Sequence, residues 1–106
     1  MLTLSDLIGS WKNSIGENIW VMRNKNEPNI VKAFLKFEDW DGIQIFDNNE
    51  SKFFRLNTWF LNKNISVKEN YNGKFITLVW ANVDLKRTVT WIRTEKALVK
   101  EILKNY

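Results

Sequence analysis

The densest group of acids in this 106-residue chain is Glu38-Asp39-Trp40-Asp41-Gly42, and the first question is what carboxylates at that spacing can do. As a calcium loop the run lacks the carboxylate at loop position five and the bidentate glutamate that closes the shell. As an acid–base pair it fails on geometry, because successive side chains of a strand face opposite ways and neighbours at a hairpin tip diverge. A solvated turn is the simplest reading. Catalysis by one buried carboxylate between aromatic walls, with burial raising its pKa, leaves Glu17 and Asp84 as candidates by elimination. The sequence has no histidine and no cysteine, which excludes triads, thiolate nucleophiles and cysteine- or histidine-ligated metals. With no glycine-rich phosphate loop either, no cofactor and no metal is expected, and the balance is against an enzyme.

Aromatic residues are the other resource: six Trp and seven Phe in a chain too short for more than one core. Lys52-Phe53-Phe54-Arg55 and Lys74-Phe75 interleave bases and rings as a nucleic-acid stacking platform does. Aromatics at strand spacing are more often core, and the acids from Glu38 to Glu50 repel phosphates along one side. Nucleic acid is therefore not an expected partner. Charge is uneven, −3 over residues 1–50 and +7 over 51–106, so a dipolar surface that steers a charged partner competes with a plain solvated face. The sequons at Asn49 and Asn64 are what chance supplies in an asparagine-rich chain.

These residues need elements to hold them. Short β-rich runs at 17–24, 29–38, 42–48, 52–61, 64–71, 74–82 and 86–93 alternate with turn signals such as Asn26-Glu27-Pro28-Asn29, Asp41-Gly42, Asn48-Asn49, Asn62-Lys63-Asn64 and Asn72-Gly73. The connections are too short for parallel crossovers, so neighbouring strands pair antiparallel in chain order. The expected fold is a single all-β domain over residues 1–106, an antiparallel up-and-down meander barrel of seven or eight strands. A short helical turn at Thr3 to Ile8 plugs one end. In the sixth run both faces are apolar, so it needs outside cover. A C-terminal amphipathic helix capped by Thr94, with Leu98, Val99, Ile102, Leu103 and Tyr106 on one stripe, is the expected cover.

This order of elements, with Gly9-Ser10-Trp11 entering the first strand and Arg93 ending the last, resembles the lipocalin-like, or calycin, β-barrels, and especially their compact bacterial versions. The resemblance implies that the Trp11 indole crosses the closed barrel end and that Arg93 covers it, a cation–π contact with sound physics. Gly9-Ser10-Trp11-Lys12-Asn13 followed by Gly16 is similar to the opening of avidins, where the asparagine contacts biotin. That makes Asn13 a candidate ligand contact, but Glu17 stands where avidins place a hydroxyl, so biotin is not carried over. Ile8-Gly9-Ser10-Trp11 is also similar to the opening of staphostatins, small barrels that inhibit cysteine proteases through a loop. The matching segment here is Asp84-Leu85-Lys86-Arg87, which lacks the glycine of that loop.

The functional expectation is a non-catalytic binding module that takes a small apolar or aromatic molecule at the open barrel end, with Trp59, Trp80, Trp91 and Asn13 at the site. The alternative is a protein-binding inhibitor or immunity-type module acting through hairpin loops, with Trp40, Asp84, Leu85 and Lys86 as contacts. A third reading is a small barrel enzyme with one buried carboxylate. A cytoplasmic setting is expected from the lack of a basic, apolar leader in Met1-Leu2-Thr3-Leu4-Ser5-Asp6, and no membrane partner from the lack of a long apolar run. A cavity above about 300 Å3 favours the ligand reading, and a filled interior the partner reading.

Overall fold

The computed structural model describes residues 1–35, 42–67 and 73–94. It is an all-β, closed, antiparallel up-and-down barrel of eight strands, β1 (Gly9–Asn13), β2 (Asn18–Arg23), β3 (Ile30–Leu35), β4 (Ile43–Asp47), β5 (Phe53–Leu56), β6 (Trp59–Asn62), β7 (Thr77–Asn82) and β8 (Arg87–Arg93). Each strand pairs with the next, and β8 returns to β1 through Trp11↔Arg93. Closure removes the exposed edges that an open sheet of such apolar strands would offer.

Strand alternation sorts the core. Trp11, Ile19, Val21, Val31, Ala33, Ile45, Phe54, Leu61, Leu78, Trp80 and Trp91 belong to the buried inner cluster. Their neighbours in sequence face out, and some of these are also buried: Ser10, Trp20 and Phe34 lie side by side on β1, β2 and β3. Over β7 the outer face stays partly open, with Val79 36% exposed. The amphipathic helix expected over that wall falls on residues 95–106, outside the described residues. So does Trp40, together with Glu38, Asp39 and Asp41.

Two strand assignments need correction. The run 52–61 is two strands, because Asn57-Thr58 turns the chain and sets Leu56 opposite Trp59. Asn57 takes φ +53°, a left-handed conformation that asparagine tolerates without a glycine to signal it. The run 64–71 forms no strand over 64–67; just before it the Lys63 carbonyl accepts the Leu2 N–H at 2.8 Å while the Lys63 N–H still donates to Lys52 O at 2.9 Å. The β6–β7 seam consequently rests on one registered pair, Phe60↔Ala81.

The closed end is built on the expected N-terminal turn, a 3-10 helix at Leu4–Leu7. Thr3 and Asp6 tie it in a capping box, with the Thr3 N–H donating to Asp6 at 2.8 Å. Leu2 and Leu7 drop into the core, and Leu7 O accepts the Trp11 indole N–H at 2.8 Å. Over that indole lies the Arg93 guanidinium, 4.1 Å from the ring centroid. Its nitrogens donate to Phe75 O at 2.8 Å, Ile8 O at 2.9 Å and Asp6 O at 2.6 Å. Burial pulls its pKa below the ordinary arginine value, and the Asp6 carboxylate acts the other way. Gly9, at φ +133°, is required here twice over, since a Cβ would also stand 2.5 Å from Arg93 Nη1.

Candidate functional site

The hairpins β1–β2, β5–β6 and β7–β8 gather at the opposite, open end. There the inward-facing residues of the strands leave a cavity of about 240 Å3. Trp59, Trp80 and Trp91 line it together with Ile19, Leu35, Ile43, Leu56 and Val89, while Asn13, Ile15, Glu17 and Asn57 form the lip. All four residues singled out as ligand contacts are therefore brought to one hollow. Trp80 and Trp91 are nearly covered and make the floor, with ring centroids 5.0 Å apart and tilted 48°. Trp91 in turn stands 6.3 Å from Trp11, so three indoles fill the barrel axis from the closed end upward. Trp80 Nε1 finds no acceptor among the described residues.

That column explains the size. The volume lies below the ~300 Å3 above which the ligand reading is favoured, so size by itself does not support that reading. It exceeds the ~150 Å3 in which an apolar protein cavity holds benzene. One aromatic ring with a short substituent fits; a hormone-sized ligand does not.

Asn13 plays a different part from the one its avidin-like position implies. Its Oδ1 accepts the N–H groups of Ile15 at 3.2 Å and Glu17 at 2.8 Å, and its Nδ2 donates to Glu17 Oε1 at 2.9 Å. These bonds fold the β1–β2 turn, in which Gly16 takes φ +90°. The polar atoms of Asn13 are spent on the loop, and their effect is to fix Glu17 at the lip. As a catalytic acid Glu17 would need burial, and its exposure corrects that expectation. Asp84 is exposed too, so the burial that a lone carboxylate needs is missing at both candidates.

Asp84, Leu85 and Lys86 sit on the β7–β8 hairpin at the same rim. Asn82 braces this turn by accepting Leu85 N–H at 3.0 Å while donating to Thr58 Oγ1 at 2.7 Å. Lys86 adopts φ +50°, a left-handed conformation reached here without a glycine. Val83, Leu85 and, across the rim, Ile15 are 77%, 57% and 67% exposed.

Elsewhere the run Lys52-Phe53-Phe54-Arg55 is split by alternation. Phe54 is core, whereas Phe53 and Arg55 face out beside Phe46 and Phe60 over a groove of about 310 Å3. Arg55 lies 5.4 Å above the Phe46 ring, and Phe53 meets Phe60 edge-on at 6.3 Å. No group of three or more metal-ligating side chains occurs among the described residues, and no described helix is long and apolar enough to cross a membrane. Compared with known proteins, the chain matches no family model, no curated protein and no solved structure.

Proposed function

We propose that this chain is a non-catalytic binding module that takes one small aromatic molecule in the open end of its barrel. The observation that carries this reading is the convergence of Trp59, Trp80 and Trp91 on a single apolar hollow that one ring fits. Trp59 ends the inward-facing row of β6 there, while Trp80 of β7 and Trp91 of β8 stand one inward position deeper, behind Asn82 and Val89. The closed end, sealed by Trp11 under Arg93, supports the same view and the kinship with lipocalin-like barrels that the sequence suggests.

The probe for this reading is 2-phenylethanol. A fragment of its size at ordinary ligand efficiency binds with a Kd of about 1 mM. Trp59, half-buried at the wall, contributes ring contact that its removal forfeits, so Trp59→Ala should weaken binding about fivefold to tenfold, in line with aromatic pair energies. Unchanged affinity in a variant with native near-UV circular dichroism would count against the cavity. The second reading, a protein-binding inhibitor, is favoured by one observation: the exposed apolar residues Ile15, Val83 and Leu85 crown the same rim. In that case a protein covers the mouth, and substitutions of Leu85 abolish capture of that partner while small-molecule probes leave the cavity empty.

A further inference from the structure

We infer that the open-end cavity is selective for a cation, specifically a protonated amine carried on a short arm from one aromatic ring, with the ammonium held at Glu17. The inference rests on the cavity reading above and adds the charge of the ligand. Among the described residues lining the hollow, Glu17 alone is ionisable. Its carboxylate is positioned rather than loose: Asn13 Nδ2 holds Oε1 at 2.9 Å, and Asn13 Oδ1 holds the Glu17 N–H at 2.8 Å. Those bonds engage one carboxylate oxygen and leave Oε2 for a further donor. Glu17 has no ion-pair partner among the described residues.

The walls favour the same sign. The negative π faces of tryptophan attract ammonium groups, and tryptophan does this best among the aromatics. An amine at the lip thus meets a carboxylate on one side and the Trp59 and Trp91 rings below, while its own aromatic ring occupies the apolar hollow. A carboxylate ligand would face Glu17 with no base among the described lining residues to offset it. The net charge of +4 opposes a cation only at long range, where salt screens it beyond about 8 Å. Lys86 and Arg87 occupy the neighbouring hairpin but are exposed and do not line the hollow.

Three probes sharing a phenyl ring and a short arm test this at pH 7 by calorimetric titration: phenethylamine, 2-phenylethanol and 3-phenylpropionate. Phenethylamine should bind about tenfold more tightly than the alcohol, the combined yield of an exposed ion pair and a cation–π contact, and 3-phenylpropionate more weakly than both. Glu17→Gln, which keeps the hydrogen-bonding shape of the turn, should bring the amine to within about twofold of the alcohol and leave the alcohol unchanged. Equal binding of all three, preference for the acid, or an amine preference that survives Glu17→Gln overturns the charge assignment while leaving the cavity reading standing. Failure of all three to bind overturns both.

Discussion

Arg93→Ala should cost about 4 kcal/mol of folding stability, which for a domain near 100 residues lowers Tm by roughly 15–30 °C. The guanidinium serves three backbone carbonyls, those of Asp6, Ile8 and Phe75, from two separate parts of the chain. It also covers Trp11. Removing it strands acceptors that are partly shut off from water and uncovers the largest side chain of the closed end, and each stranded acceptor carries a penalty of about 1–3 kcal/mol before relaxation. Arg93→Lys should recover less than half of the loss. An ammonium keeps the charge but cannot reach three diverging carbonyls in the plane of a fork. Thermal denaturation of the two variants measures both numbers, and a near-native Tm for the lysine variant would show that charge alone, and not the fork, holds the closed end.

The second large effect is expected at Lys63, which is buried on the inward parity of β6 just past its end. There it pairs with Asp47, donates to Asn48 O at 3.2 Å and lies 5.2 Å over the Phe54 ring. Lys63→Ala leaves the Asp47 carboxylate, itself 19% exposed, without its counter-charge, and losses for breaking such pairs run to about 3–5 kcal/mol. The double variant Lys63→Met with Asp47→Leu fills the same space without charge and should return to within about 1 kcal/mol of the parent, because desolvation of the native pair offsets much of its attraction. Denaturant unfolding of the parent, both single variants and the double gives the coupling directly. Additive losses in the double variant would mean that the two charges act independently.

How legible these features were in the sequence depends on whether their signal is local. The meander and its closed topology follow from alternation and turn residues, and so do the inward rows that deliver Trp80 and Trp91 to one place. The cation–π stack of Arg93 on Trp11 is an expectation that comes from the resemblance to lipocalin-like barrels, not from alternation or spacing. The three carbonyl bonds of Arg93 were not legible, since they depend on where the 3-10 turn and Phe75 come to rest. The Asn57-Thr58 turn escaped notice because asparagine can supply the positive φ without the glycine that usually marks a hairpin. Lys63 looked like part of a turn signal between two strands. Its burial arises from parity across β4 and β6, two strands separated in sequence by β5, whose inward rows both end in a charge at the closed end. Glu17 and Asn13 were both singled out, but for other roles. A carboxylate fixed by a side chain four residues earlier is a property of one tight turn, and only the coordinates of that turn show it.

The tryptophans make the central claim directly measurable, because each indole N–H gives its own nitrogen–proton NMR signal and Trp11, Trp20, Trp59, Trp80 and Trp91 are among the described residues. On titration with 2-phenylethanol, the signals of Trp59, Trp80 and Trp91 around the hollow should move together along one saturating curve, while that of Trp20 on the outer face stays still. Trp11, one ring further down, should respond weakly through Trp91. Shifts confined to Trp20, or to the backbone signals of Phe53 and Phe60 beside the outer groove, would contradict an open-end site, as would spectra that do not change.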